Sequence, residues 1–171
     1  MNETISTLTT RKSSRLYRHE HISEAEIEQI LAAGLNAPSG RNTQSPRFVV
    51  VTDEDTVKKL SQLNAAVMGF DGDPFYGAQD LIIVLAKKEC TYLYDGSLAM
   101  GNLLNAAWSL GIDCRWIHRA KEIFESDEGK RLLKKWGIDE EVEGIGFCIL
   151  GHAADDKEKT KIKPGRVFYV K

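Results

Sequence analysis

Three features of the 171-residue sequence predict a mixed α/β domain with helices on both faces of a sheet. Two short runs, residues 48–52 and 81–86, are apolar without alternation and rich in β-branched side chains. Such strands are buried on both faces. Stretches between them repeat apolar residues at helical spacing, with recognisable starts and stops. The composition, 42% hydrophobic and 28% charged with 14 Gly and 4 Pro, suits a packed core and excludes collagen-like or wholly disordered chains. A chain of this length buries roughly 70% of its extended surface, so its core needs no disulfides.

Taken in order, Ile5 and Leu8 are three apart and predict a short amphipathic helix running into Arg11. Ser23 is an N-cap with Glu26 three residues on, and Ile22 sits in the staple position beside Ile27. Ile27, Ile30 and Leu31 form the stripe of that helix, which stops near residues 36–38. Residues 37–46, APSGRNTQSP, form a polar loop with Gly and Pro punctuation, followed by the strand at 48–52. A helix at 56–68 carries Val57, Leu60, Leu63 and Val67 on one side, and the turn-rich GFDGDPFYG leads to the strand at 81–86. Residues 95–110 have the strongest helical pattern, so apolar that most of the helix is expected to be buried, while Gly101 and Asn102 leave room for a partner helix.

Residues 112–117 read as strand, 121–124 and 127–136 as short helices, and 144–151 as another strand. The charge run 155–163 reads as a solvated loop. The tail 167–171 is strand-like and either closes a sheet edge or reaches another subunit. No internal repeat divides the chain, so residues 1–171 are read as one domain.

Lys and Arg number 23 against 25 Asp and Glu, a net charge of -2. No global positive field draws nucleic acid or an anionic membrane. No run approaches 18 apolar residues, and the start, MNETISTLTTRKS, lacks the apolar core of a secretory signal. Cys90, Cys114 and Cys148 show no CxxC spacing, which suggests buried thiols in a reducing cytoplasm.

The familiar catalytic signatures are absent: no GxGxxG, no Walker A loop, no HExxH and no GxSxG. His19, His21, His118 and His152 form no metal-ligand pattern, so no metal is expected. Three segments remain. Arg11-Lys12-Ser13-Ser14-Arg15 gathers cations and hydroxyls suited to a phosphate, or is simply a solvated basic helix end. The stretch from Pro38 and Ser39 to Asn42 and Gln44 offers donors and acceptors to a planar heterocycle, or is a helix end followed by a turn. In LGIDCRWIH, Gly111 ends the long helix and Trp116 packs on a ring system or in the core. His118 there is either a proton donor or a structural residue.

In this order the segments resemble the nitroreductase family of flavin mononucleotide (FMN) enzymes. The resemblance runs through RKSSRLY, LNAPSGRNTQSPRFVVV, DLIIVLA, LGIDCRWI, EGIGFCILGHA and GRVFYV, nearly the whole chain. It implies a mixed central sheet flanked by helices and an intimate homodimer with FMN between the subunits. Arg11, Lys12 and Ser13 would then hold the flavin phosphate, and Arg15 would lie near the pyrimidine side of the ring. Pro38, Ser39 and Asn42, supported by Gln44, would line the ring from the other subunit, and Ile117, His118 and Arg119 would approach it through backbone and side chains. A basic residue near the C-terminus would complete the phosphate site: Lys163, with Lys161 and Arg166 as alternatives.

The resemblance also implies a ping-pong reaction from NADH or NADPH to an electron-poor acceptor such as a nitroaromatic or a quinone. Arg15 and His118 are the side chains given ring-side roles, and no side chain is itself the hydride carrier. Departures are the Gln44-Ser45-Pro46-Arg47 order and the His118-Arg119 pair where some members have Glu-Gly. The alternatives are a flavin reservoir or sensor with little turnover, or a structural protein that binds no flavin.

Overall fold

The computed structural model describes residues 1–155 and 158–171; Asp156 and Lys157, within the expected charged loop, lie outside the described residues. The helices are α1 (Glu3–Thr10), α2 (Glu24–Leu35), α3 (Glu54–Met68), α4 (Tyr92–Ser109), α5 (Ala120–Glu125) and α6 (Asp127–Lys135). The strands are β1 (Pro46–Val51), β2 (Asp80–Lys87), β3 (Asp113–Ile117) and β4 (Val142–Gly151). Helices α1, α2, α3 and α6 begin at side-chain caps, whereas α4 and α5 do not. Ser23 and Glu26 form a reciprocal capping box on α2, Asp53 caps α3 by accepting from the Thr56 N–H, and Ser126 caps α6.

The strands form one sheet in the order β1-β2-β4-β3. All three ladders within the chain are antiparallel, so a mixed sheet would need a parallel strand added from elsewhere. β2 is central, and its side chains split by parity. Leu81, Ile83 and Leu85 pack with α3, α5 and α6, whereas Ile82, Val84 and Ala86 pack with α2 and α4. The unbroken apolar run therefore reflects two cores, one on each face of the sheet.

β4 follows the same alternation until a bulge. Val84 pairs with Gly146 and Leu85 with Gly144, which leaves Ile145 as an extra residue. The phase flips there, so Ile145 joins Cys148 and Leu150 on the α4 side. Gly144 meanwhile turns its missing side chain toward α5, where a Cβ would lie 2.3 Å from the Ala120 carbonyl carbon.

The tail 167–171, expected to close a sheet edge or to reach another subunit, closes no edge in its own chain: Val167, Phe168, Tyr169 and Val170 are all exposed. The expectation of a mostly buried long helix needs correction: it is buried along one side only. Ala99, Met100, Leu103 and Ala107 face the core, but Leu93, Tyr94 and Leu98 are exposed. No helix among the described residues is long and apolar enough to cross a membrane.

Gly144→Ala should destabilise the fold by about 1–3 kcal/mol, the usual cost of overpacking, because the obstacle is backbone. A urea midpoint matching the parent would refute the close approach of α5. The thiols supply a second check. Of the three cysteines expected to be buried, Cys90 is exposed, whereas burial pushes Cys114 up to about 12 and raises Cys148 well above the usual range. At pH 8 only about one Cys114 in 10⁴ is thiolate, so Ellman's reagent should find one fast thiol in the native chain and three in denaturant.

Candidate functional site

The basic segment is built where α1 meets the start of β3. α1 ends as the Arg11 N–H bonds to the Thr7 carbonyl, and the Trp108 indole N–H reaches Thr10 Oγ1 at 3.0 Å from the end of α4. Buried Ser14 donates to Asp113 Oδ1 at 2.5 Å, while Asp113 Oδ2 accepts the Ala153 N–H at 3.1 Å. Tyr17 bridges to Ala153, and the Arg18 N–H bonds to the His152 carbonyl. These bonds fix the segment against the sheet and leave Ser13 and Arg15 exposed, with Arg11 and Lys12 half-buried. The Arg11 guanidinium donates to neutral groups, the Lys12 carbonyl at 3.1 Å and Ser13 Oγ at 3.4 Å. Lys12 and Arg18 border a cleft of about 460 Å³ with Trp108, Gly111 and Asp113.

The loop after α2 is held by one buried acid. Asp95, in the first turns of α4 and 2% exposed, accepts from the Gly40 N–H at 2.9 Å, Ser45 Oγ at 2.9 Å, Thr91 Oγ1 at 3.1 Å and Thr43 Oγ1 at 3.3 Å. Burial pushes its carboxyl up, but these four bonds outweigh burial and hold it below the usual carboxylate range. Within the loop, Arg41, Asn42 and Gln44 all have positive φ, at 52°, 56° and 49°. Ser39 Oγ accepts the Gln44 N–H at 2.9 Å, and Gln44 Nε2 reaches Asn42 Oδ1 at 3.2 Å. Arg47 closes the loop from outside. Its Nη1 donates to the carbonyls of Gln44, Ser45 and Pro46, and Nε meets Glu140 at 2.5 Å. Pro38, Asn42 and Gln44 stand exposed and Ser39 half-buried.

At the end of β3, Ile117 is buried and the chain turns through His118 and Arg119. The His118 ring stacks on Trp116, centroids 5.7 Å apart and planes 24° apart. Its carbonyl accepts from Asn64 Nδ2 at 2.6 Å, a bond from a fully buried residue of α3. Arg119 takes φ 77° before α5, and its guanidinium meets Glu122 at 2.8 Å. Lys121 pairs with the buried Glu143 at 3.2 Å, and Tyr92 Oη donates to the other oxygen of that carboxylate. Trp116, His118, Lys121 and Glu143 line a cleft of about 470 Å³ with Leu93 and Ser97 of α4.

The three segments are not gathered in one chain. The loop and the His118–Arg119 turn lie at one end of the sheet, where β1 and β4 begin and β2 and β3 end. The basic segment lies at the other end, beside Asp113 and Ala153. α4 spans the gap, holding the loop at Asp95 and Thr10 at Trp108, about 20 Å apart at 1.5 Å per residue. Lys161, Lys163 and Arg166 are exposed, while Lys159 is the tail residue that reaches α1, at the Thr9 carbonyl. Asp95, Ser14, Asp113 and Asn64 escape a reading by motif, since each acts by contacting a residue at least 50 positions away.

Known proteins resemble this chain in sequence and fold. The nitroreductase family model matches residues 8–80, which contain the basic segment and the loop. A Bacillus subtilis FMN reductase (NAD(P)H) is 34% identical, with 96% of this chain and 71% of the relative aligned. An Archaeoglobus fulgidus protein, provisionally described as an NADH dehydrogenase/NAD(P)H nitroreductase, is 31% identical over 92% of this chain and 90% of its own length. Among solved structures, a nitroreductase with bound FMN from Bacteroides fragilis superposes with a TM-score of 0.91 at 26% identity, covering all of both chains. With relatives and fold in agreement over nearly its full length and the family model over residues 8–80, this chain belongs to the nitroreductase family.

Proposed function

We propose that two copies of this chain enclose FMN at their interface and pass electrons by a ping-pong mechanism from NADH or NADPH to a small electron-poor acceptor such as a nitroaromatic or quinone. The observation that carries this reading is the placement of the basic segment and the Asn42 loop at opposite ends of α4. A compact ligand gripped by both calls for a second copy turned end for end. The exposed Leu93, Tyr94 and Leu98 on α4 supply apolar surface for that contact, and the unpaired tail supplies a strand for the partner's sheet. The bound FMN of the Bacteroides fragilis structure and the activity named for the Bacillus subtilis relative support the choice of cofactor.

The residues present fit that group. A flavin phosphate carries about −1.5 to −2 charges near neutrality, and Arg11, Lys12 and Ser13 offer it a bidentate fork, a point charge and a hydroxyl. Lys163 would complete this set from the tail, and Lys159, which reaches the Thr9 carbonyl at α1, would be a further cation beside it. Arg15 is exposed and permanently protonated, so it can stabilise negative charge on the pyrimidine side of a reduced ring. The His118–Arg119 turn is held by Asn64, which fixes the backbone that meets the ring. Pro38, Ser39, Asn42 and Gln44 would reach the ring from the partner.

Bound FMN would supply the two-electron chemistry that no side chain here possesses. The chain supplies position and charge balance. Arg119 and Lys121 are each paired with an acid, so the added cations beside the cleft are offset locally and favour an uncharged planar acceptor.

The test is anaerobic mixing of the FMN-loaded dimer with each nicotinamide, then with candidate acceptors. Flavin bleaching followed by acceptor-dependent recovery of colour is expected. Bound flavin that neither nicotinamide reduces would instead identify a reservoir or sensor, and a colourless monomer in excess FMN would sink both readings. Arg11→Ala should weaken FMN binding about 10–100-fold, the loss of one charge-assisted contact. Arg15→Ala should change reduction rate or flavin potential even at saturating FMN; if neither moves, its ring-side role is wrong.

A further inference from the structure

We propose that Asp95 is a positioning residue: through Gly40, Thr43 and Ser45 its buried carboxylate holds the Ser39–Gln44 loop in the one conformation that can serve a flavin site. The inference rests on the FMN reading for its function, but the clamp itself is a property of this chain's geometry.

The loop is an improbable structure on its own. Three residues with side chains, Arg41, Asn42 and Gln44, sit at positive φ within four positions, a conformation that L side chains rarely adopt. Such a backbone persists only where its surroundings over-determine it. Asp95 provides that restraint from within, since one carboxylate accepts from the loop's first N–H at Gly40 and from the hydroxyls of Thr43 and Ser45. Thr91 adds a fourth bond to the carboxylate, and its side chain lies where a Gly40 Cβ would stand, only 2.2 Å from its Oγ1. Arg47 restrains the other side of the same turn by taking three successive carbonyls while tethered to Glu140. The Gly40 N–H and the Thr43 and Ser45 hydroxyls thus turn inward to an anion and the Gln44, Ser45 and Pro46 carbonyls to a cation, leaving the Asn42 and Gln44 side chains exposed.

Asparagine at position 95 would keep the shape but replace one acceptor oxygen by an N–H₂ group facing donors. Asp80 is a suitable control, since it is also buried and binds the Ile22 N–H and His21, with no contact to this loop. Two readouts separate the clamp from the cofactor. The first is tryptic cleavage after Arg41 in native protein without FMN, and the second is FMN affinity together with the visible circular dichroism of the bound flavin.

Asp95→Asn should speed cleavage after Arg41 about tenfold, weaken FMN about tenfold and change the flavin dichroism, whereas Asp80→Asn should leave all three within about twofold of the parent. A folded Asp95→Asn protein with parental cleavage would overturn the clamp. Faster cleavage with unchanged affinity and dichroism would overturn its positioning role, as would equal effects from Asp80→Asn. Failure of the parent protein to bind FMN would remove the functional reading while the cleavage comparison still reported on the clamp. If Asp95→Asn does not fold, Ser45→Ala leaves the acid in place and removes one donor. It should then shift cleavage and affinity in the same direction by a smaller factor, and parental values for both would refute the proposal.

Discussion

Burial of the sheet on both faces is the constraint from which the rest of the molecule follows. β2 sends alternate side chains into two separate cores, and neither core exists unless helices cover that face. Six consecutive buried residues from Leu81 to Ala86 remove a large apolar area from water, at about 25 cal/mol per Å². With both faces taken, function is left to the two ends of the sheet and to the outer sides of the helices. The candidate site residues occupy those places: a basic segment at one end, and a loop and a turn at the other.

Polar anchoring at those ends is done mainly by buried single groups borrowed from neighbouring elements. Asp113 fixes the basic segment through Ser14, Asp95 fixes the loop, and Asn64 fixes the turn after β3. Burial of Ser14, Asp95 and Asn64 makes these contacts strong and unforgiving, because a buried polar group that loses its partner has no water to replace it. The cations are freer to meet a ligand. Arg11 is half-buried, oriented by Lys12 and Ser13 and by the thiol of Cys114, and Arg15 stands at the surface.

Much of the fold was legible because it is written in local patterns. The Ser23–Glu26 capping box, the unalternating strand around Leu81 and the stripe of α2 are all short-range signals, and the elements appear within a few residues of their expected bounds. The exposed side of α4 was hidden because apolar content alone cannot say whether Leu98 faces a core or a surface. The tail left its partner open for a related reason: the β-branched and aromatic residues from Val167 to Val170 suit a strand without naming what it pairs with. The arginine-rich start and the asparagine loop could be picked out by residue type, but their anchors could not. Ser14 meets Asp113 across 99 residues and Gly40 meets Asp95 across 55, distances at which single-sequence reasoning has no signal.

The extra residue in β4 has a bearing on how relatives should be lined up with this chain. Before Ile145 the strand shows one set of side chains to α4, and after it the opposite parity does so. Removing that residue while keeping the rest in step would swing Glu143 away from Tyr92 and drive a side-chain-bearing position toward the Ala120 backbone. A gap placed elsewhere in this strand would thus assign inside to outside for every residue between it and Ile145, and homologues lacking the kink should carry compensating changes in both flanking helices.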